Sequence, residues 1–203
     1  MPGSIRFILA SASPRRRELL TQIGRVPDAI IPPDVDETPL RAERPADYAR
    51  RMAEAKCDAA AALPETAGAI ILAADTVVAC GRRILPKTED AQAARDCLGL
   101  LSGRRHRVLG GICLRAADGQ RRTRLVTTSV TFKRLSAAEI TAYIDGGEWR
   151  GKAGGYAIQG RAAVFVRALN GSYSNVVGLA LFEAEQMLAG GGLGLSPVTG
   201  EAS

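Results

Sequence analysis

The chain has 203 residues, 46% of them hydrophobic and 4% aromatic, with a formal charge of +6 at pH 7. That length supports a substantial core in one domain or in two lobes sharing a cleft, and the composition is that of an ordinary soluble α/β protein. No run nears the ~20 consecutive apolar residues of a membrane helix, no signal-peptide pattern opens the sequence, and four cysteines without a CxxC pair argue against a disulfide framework or zinc site; a cytoplasmic, membrane-free protein is expected.

Phe7-Ile8-Leu9-Ala10 reads as a strand, and Ser11-Ala12-Ser13-Pro14-Arg15-Arg16-Arg17 as a tight turn into a helix that ends at Gly24. Ser13 fits the N-cap and Pro14 the first helical position. The first-turn N–H groups then lie beside two serine hydroxyls and Arg15 or Arg16, which suits a phosphate or carboxylate. The same residues also describe a capped helix with solvated arginines. Ala29-Ile30-Ile31 is a short strand entering a proline-bounded loop, where Asp36 and Glu37 are either metal ligands or solvated acids. Pro45 opens an alanine-rich helix, residues 46–63, that carries Lys56.

Residues 69–79 form the most apolar run and read as a strand covered on both faces, interrupted by Asp75. A carboxylate there is costly unless paired, metal-bound or protonated, which points to function; the competing reading is a cap on local backbone. The turn at Cys80-Gly81-Arg82-Arg83 returns the chain through Ile84-Leu85 and brings Lys87 back near Asp75. A helix over 89–101 follows, then strands over 107–115 and 124–133 joined at Asp118-Gly119, and a capping box at Ser136 and Glu139 that starts a helix through Ile144. The segment 151–160 is rich in glycine but lacks the Walker pattern. A strand over 163–166, a polar turn over 171–175 and a closing helix over 176–188 complete one domain, residues 1–188, and a flexible tail is expected over 189–203. This order implies a mixed sheet with helices on its faces. His106 is the only histidine and sits among arginines, so any proton acceptor is expected to be a carboxylate.

Taken in order, these segments resemble the Maf family of nucleoside triphosphate pyrophosphatases. The likeness rests on Leu9 to Arg16, the acidic loop at Asp36-Glu37, Lys56, Ala74-Asp75-Thr76-Val77-Val78, Lys87, Gly155-Tyr156-Ala157-Ile158-Gln159-Gly160, and Gly171 to Leu179. It implies an elongated mixed sheet of the inosine triphosphate pyrophosphatase type, with two lobes around a nucleotide cleft, and a homodimer. Arg15 or Arg16, Lys87 and Gln159 match the family group acting on dTTP and UTP; the group acting on 7-methyl-GTP has other residues there. The resemblance implies hydrolysis to the monophosphate and pyrophosphate, with Ser11, Ser13, Arg15, Arg16, Lys56, Lys87 and Gln159 binding substrate. It gives Asp75 the role of orienting or deprotonating the attacking water, and Glu37 and Asp75 are the candidate ligands of a divalent ion, Mg²⁺ or Mn²⁺. The rival readings are a non-catalytic regulator binding nucleic acid or a division protein, and a dinucleotide-dependent oxidoreductase. The first lacks a base-reading helix or stacking platform, so no specific nucleic acid is expected as partner. The second lacks GxGxxG.

Overall fold

The structure is a computed structural model and describes residues 5–194. Its frame is a seven-stranded mixed sheet in the order β2-β1-β3-β6-β7-β9, with β4 paired to β3. The parallel part is β1 (Phe7–Ala10) between β2 (Ala29–Ile30) and β3 (Ile70–Cys80). The antiparallel part is β4 (Arg83–Leu85), β6 (Arg105–Arg115), β7 (Arg121–Phe132) and β9 (Val166–Asn170). A separate two-stranded sheet pairs β5 (Lys87–Thr88) with β8 (Lys152–Ala153).

The helices are α1 (Pro14–Gln22), α2 (Pro45–Ala61), α3 (Ala91–Leu101), α4 (Ala137–Asp145), α5 (Tyr173–Val177) and α6 (Leu181–Leu188). Among the described residues, no helix is long and apolar enough to cross a membrane. The capping box expected at Ser136 and Glu139 forms at α4, whereas α3, expected from residue 89, starts after Asp90, whose carboxylate accepts from the Ala93 N–H at 2.8 Å.

One apolar cluster joins Leu98, Leu101, Phe132, Tyr143 and Phe165 at the α3 and α4 end. Another joins Leu9, Leu20, Leu72, Leu114 and Leu188 at the α1 and α6 end. These are the two lobes, and β3, β6 and β7 run through both. Helix α2 covers the remaining face with Ala49, Ala53, Cys57 and Ala60 fully buried. Its approach depends on Gly111 in β6. A Cβ on Gly111 would lie 2.1 Å from the Ala49 carbonyl oxygen, so only glycine lets the helix backbone rest on the sheet. Gly111 is in register with Asp75, and this close approach sets the depth at which Lys56 meets β3.

Two expected elements differ. The strand over 163–166 is instead a 3₁₀ turn, Arg161–Phe165, that buries Ala162 and Phe165 at the i,i+3 spacing and exposes Val164; the strand begins at Val166. The closing helix over 176–188 is two helices broken at Gly178, whose φ of 154° ends α5. Of the tail expected over 189–203, Ala189–Leu193 is a π-helical turn continuing α6, and 195–203 lie outside the described residues.

His106 is 1% exposed and packs edge-on against Phe132 and Tyr156, with its Nε2 2.8 Å from the Tyr156 hydroxyl. Burial pushes its pKa down to about 4. The folded imidazole therefore stays neutral where the unfolded one, near 6.5, takes up a proton. Stability contributed by this group is intact above about pH 6.5 and falls as the pH drops from 6.5 to 4. Because no other histidine is present, its ring proton NMR signal titrates alone; a midpoint near 4 is expected, and one near 6.5 would contradict the buried neutral ring.

Candidate active site

A cavity of about 360 Å³ lies between the α1 and α2 side of the sheet and the β5–β8 pair. Its lining includes Ser11, Ser13, Arg15, Arg16, Glu37, Lys56, Asp75, Lys87 and Gln159, so the residues expected to bind substrate, together with Glu37 and Asp75, meet in one place. Asp36 stays outside it; its carboxylate accepts from the Thr38 N–H at 2.9 Å in the loop.

The floor comes from β1 and β3. Ser11 follows directly on β1, and Asp75 sits in mid-β3, 4% exposed. Helix α2 lays Lys56 across Asp75, also nearly buried at 6% exposure. The ammonium donates at 2.6 Å to Asp75 Oδ1 and lies 2.6 Å from Glu37 Oε1. Glu37 in turn meets Lys87 Nζ at 2.5 Å. The result is an alternating chain, Asp75, Lys56, Glu37, Lys87, in which each charge has an opposite neighbour. Burial would raise the Glu37 pKa, but hydrogen bonds from Lys56 and Lys87 outweigh it and hold the carboxyl down to about 2. Tyr48 braces the loop by donating its hydroxyl to the Glu37 carbonyl at 2.6 Å.

The α1 turn is built differently from the expectation of a serine-capped helix. Ser13 has the extended backbone of an N-cap, yet its side chain makes no capping bond, so the helix start is left open toward the cavity. The Ser13 N–H turns back to Ser11 Oγ at 3.2 Å. Arg16 is no surface arginine. It is buried, and its guanidinium donates to Ser11 Oγ at 2.8 Å, Thr76 Oγ1 at 3.2 Å and the Gly178 carbonyl at 2.9 Å. Desolvation lowers its pKa, opposed by the charge of Asp75. Arg15 points to the cavity, part-buried, with its Nε unpartnered.

The opposite wall is the glycine-rich segment. Gly154 has φ 69°, and a Cβ there would stand 2.8 Å from Val78 Cγ1, so glycine is required for this loop to lie against β3. Three bonds fix the loop that presents Gln159: Tyr156 to His106, the Ala157 N–H to Tyr143 Oη at 3.0 Å, and the Arg161 N–H to Glu148 Oε2 at 2.8 Å. Gln159 itself is exposed at the cavity rim.

A family model described as Maf-like protein matches residues 6–190 of the chain. The chain belongs to the Maf family. Among its relatives, a protein from Paramagnetospirillum magneticum named dTTP/UTP pyrophosphatase is 65% identical, covering 92% of this chain and 97% of the relative. One of the same name from Rhodospirillum rubrum is 63% identical, covering 92% and 88%. Among solved structures, a HAM1 protein from Coxiella burnetii is 15% identical with a TM-score of 0.49, covering 92% of this chain and 99% of that one.

In this Maf-family cavity, several lining groups had no role assigned from the sequence. Thr76 and the Gly178 carbonyl matter because they receive Arg16, contacts that span 60 and 162 residues of chain. Lys152 faces the cavity from β8. Among the described residues, no cluster of three or more His, Cys, Asp or Glu forms a ready-made cation cage. Glu37 and Asp75 already share one cation, the Lys56 ammonium. Two carboxylates around a single cation are the donor set that Mg²⁺ or Mn²⁺ uses when water and phosphate oxygens complete its shell.

Proposed function

We propose that the chain is a nucleoside triphosphate pyrophosphatase that hydrolyses dTTP and UTP to the monophosphate and pyrophosphate. The observation that carries this is the convergence of Asp75, Lys56, Glu37, Lys87 and the open α1 turn on one cavity, in a chain with close relatives bearing the dTTP/UTP pyrophosphatase name.

Water attacks the α-phosphorus, and the bond from that phosphorus to the bridging oxygen breaks. The proton goes to Asp75, and the electron pair leaves with pyrophosphate. Asp75 suits this role because it is an acceptor held in one orientation by Lys56 and backed by the sheet. Lys56 and Lys87 offset charge along the phosphates, while Ser11, Ser13, Arg15 and the uncapped α1 amides hold phosphate oxygens. Arg16 acts through Ser11 and Thr76 and keeps the turn in shape. A divalent ion held by Glu37 and Asp75 would supply further charge neutralisation on the phosphates. The arrangement suits the nucleotide pool of the cytoplasm.

Gln159 both donates and accepts, which matches the O4 and N3–H edge of uracil or thymine. Pyrophosphate release measured over a panel of triphosphates is expected to be fastest with dTTP and UTP. Replacing Gln159 by Ala should narrow their advantage over purine nucleotides by about tenfold, the size of a lost hydrogen-bond pair. An unchanged ranking in the variant would remove Gln159 from base selection.

A further inference from the structure

Arg15 and Lys152 are the cavity cations that the ion-pair chain leaves out. Lys56 lies between Glu37 and Asp75, Lys87 rests on Glu37, and the Arg16 guanidinium is filled by Ser11, Thr76 and Gly178. Among the described residues, no carboxylate lies within ion-pair distance of Arg15 or Lys152. Arg15 Nε is buried without a partner, and Lys152 Nζ meets only the Arg150 carbonyl, at 3.1 Å.

Lys152 is also held in place from below. Its backbone pairs with Thr88 in the β5–β8 sheet, the Gly151 N–H donates to the Thr88 carbonyl at 2.9 Å, and Thr88 Oγ1 donates to the Trp149 carbonyl at 2.8 Å. The backbone that carries Lys152 is therefore fixed, and the residue lines the same cavity as Arg15. Burial lowers the Lys152 pKa, and the charge of Arg15 lowers it further, against the opposing pull of Glu148. Burial lowers Arg15 as well. Two like charges partly withdrawn from water and facing one cavity disfavour each other, and an anion between them reverses both penalties.

We propose that Arg15 and Lys152 together seat the departing pyrophosphate, with Lys152 a substrate contact of the reaction. This rests on the hydrolase reading above, in which the α-phosphate lies by Asp75 and negative charge grows on the leaving group as its bridging bond breaks. Both side chains line the cavity that holds Asp75, and neither is engaged by Glu37 or Asp75 as Lys56 and Lys87 are, so both are free to take the group whose charge grows.

The test compares wild type, Lys152→Met and Lys152→Arg for inhibition of dTTP hydrolysis by each product, with calorimetric binding of pyrophosphate as a turnover-free check. In Lys152→Met the inhibition constant for pyrophosphate should rise about tenfold, the loss of one charge-assisted hydrogen bond, while that for TMP stays near wild type. Lys152→Arg should restore most of the pyrophosphate affinity. Unchanged pyrophosphate inhibition in the Met variant, or equal weakening of both products, would overturn the assignment. If wild type releases no pyrophosphate from dTTP or UTP, the hydrolase reading itself falls and takes this seat with it.

Discussion

Asp75→Asn is expected to lower kcat for dTTP by about 10²–10⁴-fold, the usual contribution of a positioned general base, with little change in KM. The variant should keep its fold, because Lys56 retains Glu37 as an anchor 2.6 Å away and the amide fills the same space. Steady-state kinetics together with a urea melt checks both halves of this expectation. A variant that turns over at wild-type speed would remove Asp75 from the chemistry.

Lys56→Met carries the largest expected cost to stability. Asp75 is buried and Glu37 is half-buried, and the ammonium is the cation they share. Removing it leaves Asp75 buried without its cation and Glu37 with Lys87 alone, a loss of about 3 kcal/mol by analogy with other broken buried pairs. Added Mg²⁺ should return part of that loss by binding the folded form at the vacated position. Equal urea midpoints for wild type and variant would show that the ammonium does not hold this part of the fold together. Activity should fall as well, since the same cation orients Asp75.

The local elements could be read from the sequence because their signals are local. The apolar run at 7–10 followed by Ser13-Pro14 gave β1 and α1, and Asp118-Gly119 marked the β6–β7 turn. Ser136 with Glu139 marked the start of α4. What escaped depended on distant contacts. Arg16 lies in a run of three arginines that reads equally as an anion site or as solvated surface, and only the return of the chain to Gly178 explains its burial. The break between α5 and α6 has the same origin. The left-handed Gly178 turns its carbonyl to Arg16 and to Thr76 Oγ1, at 2.9 and 3.3 Å, which an unbroken helix would have used internally. Residues 163–166 look like a strand by composition, yet the burial of Ala162 and Phe165 on one side follows the tighter helical period.

The site shows the same division. Asp75 stood out because a carboxylate inside an apolar strand needs a reason. Lys56 did not, since a lysine on an alanine-rich helix is ordinarily exposed, and its partner Asp75 is 19 residues away across the α2–β3 packing. Gly111 gave no sign of controlling that packing, because the clash a side chain would make is with the backbone of a helix far earlier in the chain. Lys152 was likewise hidden inside a glycine-rich stretch, where attention falls on backbone freedom and not on the one charge it carries.

In the proposed reaction, water attacks the α-phosphorus within the cavity around Asp75. The direct test is hydrolysis of dTTP in water enriched in heavy oxygen, with the products resolved by mass spectrometry. TMP and pyrophosphate are expected in equal amounts, with the label in TMP alone. Label in pyrophosphate, or release of orthophosphate with dTDP, would contradict it.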